Sequence, residues 1–127
     1  MENFLLEMKE AEKYKIRILV SEGMNKIPID VINIAYVFSE HKISFVRTES
    51  NKLYIADQSL NDLEKELNPN VFYRVNRQYI VNRNAIGKYK SIEQSKILLE
   101  LKPKSKEDVV IGKENAVVFR KWVRAKF

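Results

Sequence analysis

Between Phe72 and Ile86 the chain reads Phe-Tyr-Arg-Val-Asn-Arg-Gln-Tyr-Ile-Val-Asn-Arg-Asn-Ala-Ile. Two kinds of residue that ordinary surface segments keep apart are interleaved there. Phe72, Val75, Tyr79, Ile80, Val81 and Ile86 are apolar anchors for a core, and among them stand three arginines, three asparagines and one glutamine without an acid. Arg, Asn and Gln carry planar donor and acceptor groups that match the edges of guanine and adenine, and Arg also grips phosphate with two parallel hydrogen bonds. A basic ledge fixed to a core from behind predicts contact with nucleic acid. Strand alternation lets Phe72, Val75 and Tyr79 point inward while Arg74, Asn76, Arg77 and Gln78 face out. The competing reading is a solvated strand end whose arginines pair with acids such as Glu40 or Asp62. Asn82, in a bend before Ile86, is expected to tie down its own turn through side-chain to backbone bonds.

The rest of the composition narrows the chemistry. A chain of 127 residues suits one domain, which at that length buries about two-thirds of its surface on folding. Cysteine is absent and His41 is the single histidine, which excludes disulfides, thiolate zinc sites and multi-histidine metal sites. Three glycines cannot build a phosphate-cradling loop, and no paired carboxylates share a predicted face beyond one acidic helix. The expectation is therefore no enzyme, no cofactor and no small-molecule substrate. The apolar runs fall far short of the roughly 20 residues a membrane helix needs, so the cytoplasm is the default. The formal charge is +6 and clustered: residues 72 to 90 hold Arg74, Arg77, Arg83, Lys88 and Lys90 and no acid, and residues 113 to 127 hold five basic residues against Glu114. Such clustering is what a polyanion footprint requires, with Lys90 expected on phosphate.

These residues must be positioned by a mainly β framework. Residues 1 to 13, with Phe4, Leu5 and Met8 among acids, read as a linker or short N-terminal helix, and residues 14 to 127 as the domain. Ile16, Ile18 and Val20 alternate as a strand, Glu22-Gly23-Met24-Asn25 turns the chain, and Pro28 confines the next strand to an edge. Val31 to Phe38 is apolar enough for a strand buried on both faces, and Ser39 to Lys42 forms a polar tip before a return strand over Ile43 to Thr48. Ser59 to Leu67 is the clearest helix, capped by Ser59 and stopped by Asn68-Pro69, with Asp62, Glu64 and Glu66 on a face expected to point away from DNA. A hairpin spans residues 86 to 101, a short strand covers Val109 to Ile111, and Lys113 to Arg124 closes the chain as a helix. In that helix Trp122, spaced with Phe119, reads as a core plug rather than a base-stacking ring. Eight or nine strands and two helices without a strand-helix rhythm predict antiparallel sheets.

The ledge, together with the Pro-Ile-Asp segment at 28 to 30, the Ser-Leu-x-x-Leu helix at 59 to 63 and the closing Phe-Arg-Lys-Trp helix, resembles LytTR-type DNA-binding domains, the output modules of bacterial response regulators. The resemblance covers residues 14 to 124. It implies an elongated arrangement of small antiparallel β-sheets with a short mid-chain helix and a C-terminal helix. It also implies double-stranded DNA as partner, two copies on a repeated site, bent DNA, and a receiver domain in a longer chain. Loop and strand-end side chains, rather than a recognition helix, would enter the major groove, with Arg77, Asn76 and His41 reading bases and Lys and Arg contacts setting position. Contact is expected from His41, Lys42, Arg74, Asn76, Arg77, Gln78, Lys90, Lys113 and Asn115. Where the family usually has Ser opening the last helix, this chain has Gly112, followed by Lys113-Glu114. Two alternatives stay open: a protein-interaction module using an apolar exposed patch, and a regulatory domain that keeps the fold without binding DNA.

Overall fold

The computed structural model describes residues 13 to 125. The linker or helix expected over the first residues lies outside these, apart from Lys13. Strands β1 (Arg17–Glu22) and β2 (Asn25–Asp30) form the first hairpin, turned by Gly23 at φ +58°, a left-handed conformation that glycine adopts without a Cβ clash. A single 3-10 turn, Val31–Asn33, leads into β3 (Ile34–Glu40), so the apolar run that begins at Val31 divides into a turn and a strand. Then follow β4 (Ile43–Thr48), β5 (Leu53–Ala56), helix α1 (Leu60–Glu66), β6 (Phe72–Arg74) and β7 (Tyr79–Asn82). After a 3-10 turn at Arg83–Ala85 come β8 (Ile86–Ser91), β9 (Ile97–Leu101), β10 (Val109–Ile111) and helix α2 (Lys113–Arg124).

The first seven strands make one antiparallel sheet in the order β2-β1-β5-β4-β3-β7-β6, and the last three a second sheet in the order β10-β9-β8. β2, which carries Pro28, is an edge strand, as a residue without an N–H donor demands. The mainly β class, the antiparallel pairing and both helices agree with the sequence.

Two cores sit on the two faces of the large sheet. On one face Leu60, Leu63 and Leu67 of the α1 segment pack on Val20, Val37, Val46 and Ile80. On the other, Tyr36, Phe38, Tyr79 and Val81 meet Ile97, Leu99 and Ile111 of the small sheet and Ala116 and Phe119 of α2. β3 contributes to both, so its continuous apolar sequence is what a strand covered on both sides needs. The small sheet covers the β3 and β7 side, which leaves Leu19 of β1 and Leu53 and Ile55 of β5 about half exposed.

Local chemistry fixes the ends. The Ser59 Oγ accepts from the Asp62 N–H at 3.1 Å and caps α1. Asn82, buried, donates to the Ile34 carbonyl at 2.9 Å and accepts from the Asn84 N–H at 2.9 Å, tying β7 to its own turn and to β3. Trp122 stacks on Tyr73 and donates its indole N–H to the Pro69 carbonyl at 2.7 Å, a plug against the α1–β6 connection. Arg83, counted with the basic ledge in the sequence, turns instead to the end of α2. Its guanidinium donates to the Trp122, Val123 and Asn70 carbonyls and lies 3.8 Å over the Trp122 ring, and desolvation there lowers its pKa. Cations are favoured at a helix C-terminus, and Arg83 fulfils that role.

Candidate nucleic-acid interface

The basic ledge is a four-residue loop, Val75 to Gln78, between β6 and β7, and it is pinned from every side. Val75 is fully buried, and its N–H donates to the Tyr79 carbonyl at 3.0 Å. The Asn76 side chain accepts from the Gln78 and Tyr79 N–H groups at 2.8 and 2.9 Å and donates to the Val110 carbonyl at 3.0 Å. Asn115 at the start of α2 donates to the Val75 carbonyl at 3.1 Å, and the Ser39 N–H donates to the Gln78 carbonyl at 2.9 Å. Arg74 completes the clamp. Its Nε donates to the Asn76 carbonyl at 3.2 Å and its Nη2 to the Arg77 carbonyl at 2.8 Å, while Nη1 is anchored to Asn61 Oδ1 and, at 3.0 Å, to Glu64 Oε1 of α1.

This arrangement divides the expected contact residues. Arg77 and Gln78 are exposed, on a loop whose four carbonyls all accept hydrogen bonds from within the protein, and their side chains face outward. Asn76 has both ends of its amide engaged inside the protein, its oxygen closing a side-chain turn on the backbone two residues on and its nitrogen bonding Val110. In the free protein it shapes the loop. Arg74 likewise holds the loop, paired with Glu64 rather than with Glu40 or Asp62. Asn115 also accepts from the Tyr73 hydroxyl at 3.3 Å.

Two clefts join these residues to their neighbours. An open one of about 700 Å³ runs from Glu64 and Arg74 to Arg77 and on to Gly112, Lys113 and Glu114. A second joins Arg74 and Arg77 to Lys42 and Ser39 of the β3–β4 tip. That tip is a two-residue hairpin loop with His41 at φ +51° and Lys42 at φ +66°, conformations that ordinarily favour Asn and Gly. The turn carries two exposed side chains able to hydrogen-bond, and the His41 side chain is 90% exposed with Glu40 4.0 Å away. Lys42, Arg74, Asn76, Arg77, Lys113 and Asn115 thus line one continuous region, with Gln78 and His41 beside it.

Lys90 is not brought there. Its strand places it with Lys88, Leu98 and Glu100 in a separate hollow on the outer face of the small sheet. Glu64, on the helix face expected to point away from DNA, lines the main cleft. Its charge is felt there, since the Tyr73 hydroxyl is held above its usual pKa by burial and then by Glu64. Gly112 supplies no side-chain cap, so α2 opens toward the cleft with Lys113 and Glu114 in its first turn. Asn61 and Glu64 escaped the sequence reading as site residues; their i, i+3 spacing on one flank of α1 was the available signal.

A pinned loop bearing Arg77 and Gln78, flanked by an exposed hairpin tip and an open helix start, defines a β-sheet scaffold that presents loops to a polyanion. The chain matches the LytTr DNA-binding domain family over residues 24–124 and belongs to it. Among solved structures it is similar to the LytTr DNA-binding domain of a Bacillus cereus protein assigned as a methyl-accepting/DNA response regulator. The two are 25% identical with a TM-score of 0.75, over 87% of this chain and 99% of that one. No curated protein shows a significant match to the chain. Among the described residues no helix is long and apolar enough to cross a membrane.

Proposed function

We propose that this DNA-binding domain is sequence-specific for double-stranded DNA and regulates transcription in the cytoplasm, as the output domain of a two-component response regulator. The observation that carries the reading is the Val75–Gln78 loop, whose four carbonyls and whose Val75 and Gln78 N–H groups are all hydrogen-bonded within the protein, so that Arg77 and Gln78 project from a fixed base. A backbone held in place leaves only side-chain freedom to be lost on binding, and an Arg reads guanine through its O6 and N7 together. Lys42 and Lys113 lie to either side of Arg77 and set the register on phosphates, with His41 reaching from the tip. Two copies on a repeated site, and a receiver domain in a longer chain, complete the reading.

Selection of bound duplexes from a random pool tests it: a defined motif is expected, and no enrichment would contradict it. On a selected duplex the affinity is expected to fall with salt at a log-log slope of about −4 to −7, since each neutralised phosphate contributes about −0.9. A flat salt response would favour the second reading, a protein-interaction module. The half-exposed apolar side chains of Leu19, Leu53 and Ile55 on the uncovered side of the large sheet support that alternative.

A further inference from the structure

The cleft proposed to receive DNA contains two carboxylates, Glu64 and Glu114, where phosphate attraction alone would favour none. Glu64 is not idle there. Its Oε1 lies 3.0 Å from Nη1 of Arg74, which also donates to Asn61 Oδ1, and the other two nitrogens of that guanidinium hold the Asn76 and Arg77 carbonyls of the Val75–Gln78 loop. We propose that Glu64 is a specificity-determining residue: it retains Arg74 as a loop clamp and withholds that cation from phosphate. The proposal rests on the DNA-binding reading above and adds a role for a residue of α1.

The physics is a competition for one guanidinium. Non-specific binding is almost wholly phosphate attraction, so any cation free to swing toward the backbone strengthens it. Specific binding instead needs Arg77 held where two hydrogen bonds to one base can form together. Arg74 cannot serve both ends: to reach a phosphate it must release the two loop carbonyls, and the side chain that presents Arg77 then loses its fixed base. With Glu64 in place the Arg74 charge is locally neutralised and its geometry is fixed at both α1 and the loop. Without Glu64 the cleft gains positive charge, and Arg74, left with only the neutral acceptors of Asn61, Asn76 and Arg77, has its charge available to phosphate. Indiscriminate binding rises more than selected binding. The energy of a wrong complex is raised by a like charge placed in its path, which is how discrimination is gained without a new contact to the right partner.

Glu64→Ala removes both the charge and the acceptor, and Glu64→Gln removes the charge while keeping an acceptor for Arg74. Glu64 is half exposed on a surface helix, and both replacements suit a helix, so each variant is expected to fold, checked by its thermal midpoint. Affinities for a selected duplex and for a random duplex, each across a salt series, are the readout. Both variants are expected to bind random duplex about threefold to tenfold more tightly, with a slope steeper by about 0.9 for the extra phosphate. The ratio of selected to random affinity is expected to fall by at least about threefold, further in Glu64→Ala than in Glu64→Gln. A ratio equal to or above that of the unmodified protein overturns the proposal, whether both affinities rise together, as from a mere background charge, or fall together, as from a structural defect. If the unmodified protein itself shows no preferred duplex, the DNA-specificity reading fails independently of either variant.

Discussion

Replacing Arg77 by alanine is expected to weaken binding to a selected duplex by about fivefold to 150-fold, the loss of a bidentate contact worth about 1 to 3 kcal/mol, while random duplex is bound nearly as before. The reasoning starts from the loop rather than from the arginine. Arg77 donates nothing to the fold through its side chain in any described contact; its carbonyl, not its guanidinium, is what Arg74 holds. Removing the side chain therefore leaves the Asn76 bonds to Gln78, Tyr79 and Val110 in place, and the variant is expected to keep the unmodified protein's thermal midpoint. A contact with a base edge distinguishes sequences, whereas a contact with phosphate does not. The selected motif should accordingly relax at one or two positions. Competition binding at one fixed salt concentration separates the outcomes: equal losses on both duplexes would make Arg77 a positioning cation and move the reading edge to Gln78 or His41.

Replacing Phe119 by alanine is expected to cost about 3 to 5 kcal/mol, a large share of the roughly 5 to 15 kcal/mol by which a domain is stable. Phe119 is fully buried and its ring meets Tyr73 at 6.1 Å, Tyr89 edge-on at 5.2 Å and Trp122 at 6.4 Å, so it joins α2, the small sheet and β6 at one point. A cavity there has three aromatic walls that cannot close over it without moving an element. The melting midpoint should drop by about 10 to 20 °C. Because Asn115, on the same helix, holds the Val75 carbonyl, loosening α2 also loosens the reading loop. DNA binding is then expected to weaken before the protein melts, and Phe119→Leu should recover most of both losses. Unchanged stability for Phe119→Ala would mean that α2 is an appendage rather than part of the core.

The strands, the two helices and the ledge were readable because each rests on local pattern. Alternation marks β1, the capped Leu60-Leu63-Leu67 stripe marks α1, and the apolar run of β3 marks a strand covered on both faces. What the sequence withheld depends on partners brought together by the topology. Asn76 is 34 residues from Val110, whose carbonyl turns its side chain inward, and nothing local distinguishes it from the exposed Gln78. Arg74 and Arg83 read as ledge cations beside Arg77, yet one holds the loop to α1 and the other closes the end of α2. Glu64 looked remote because the stripe defines only the buried face of α1; which exposed flank borders β6 follows from packing. Lys90 shares a basic stretch with Arg83, but its strand carries it past the 3-10 turn at Arg83–Ala85 into the other sheet, away from the clefts.

The central claim is that DNA meets the surface formed by the β3–β4 tip, the Val75–Gln78 loop and the start of α2. Mapping backbone amide chemical shifts by NMR as a selected duplex is added tests it most directly. The account predicts that the amides of His41, Lys42, Arg77, Gln78 and Lys113 move together and saturate at one equivalent of site per bound domain, while those of Lys88, Lys90, Leu53 and Ile55 stay in place. Changes centred on Lys88 and Lys90, or on the exposed face of β1 and β5, with the Arg77 and Lys42 amides unmoved, would contradict it.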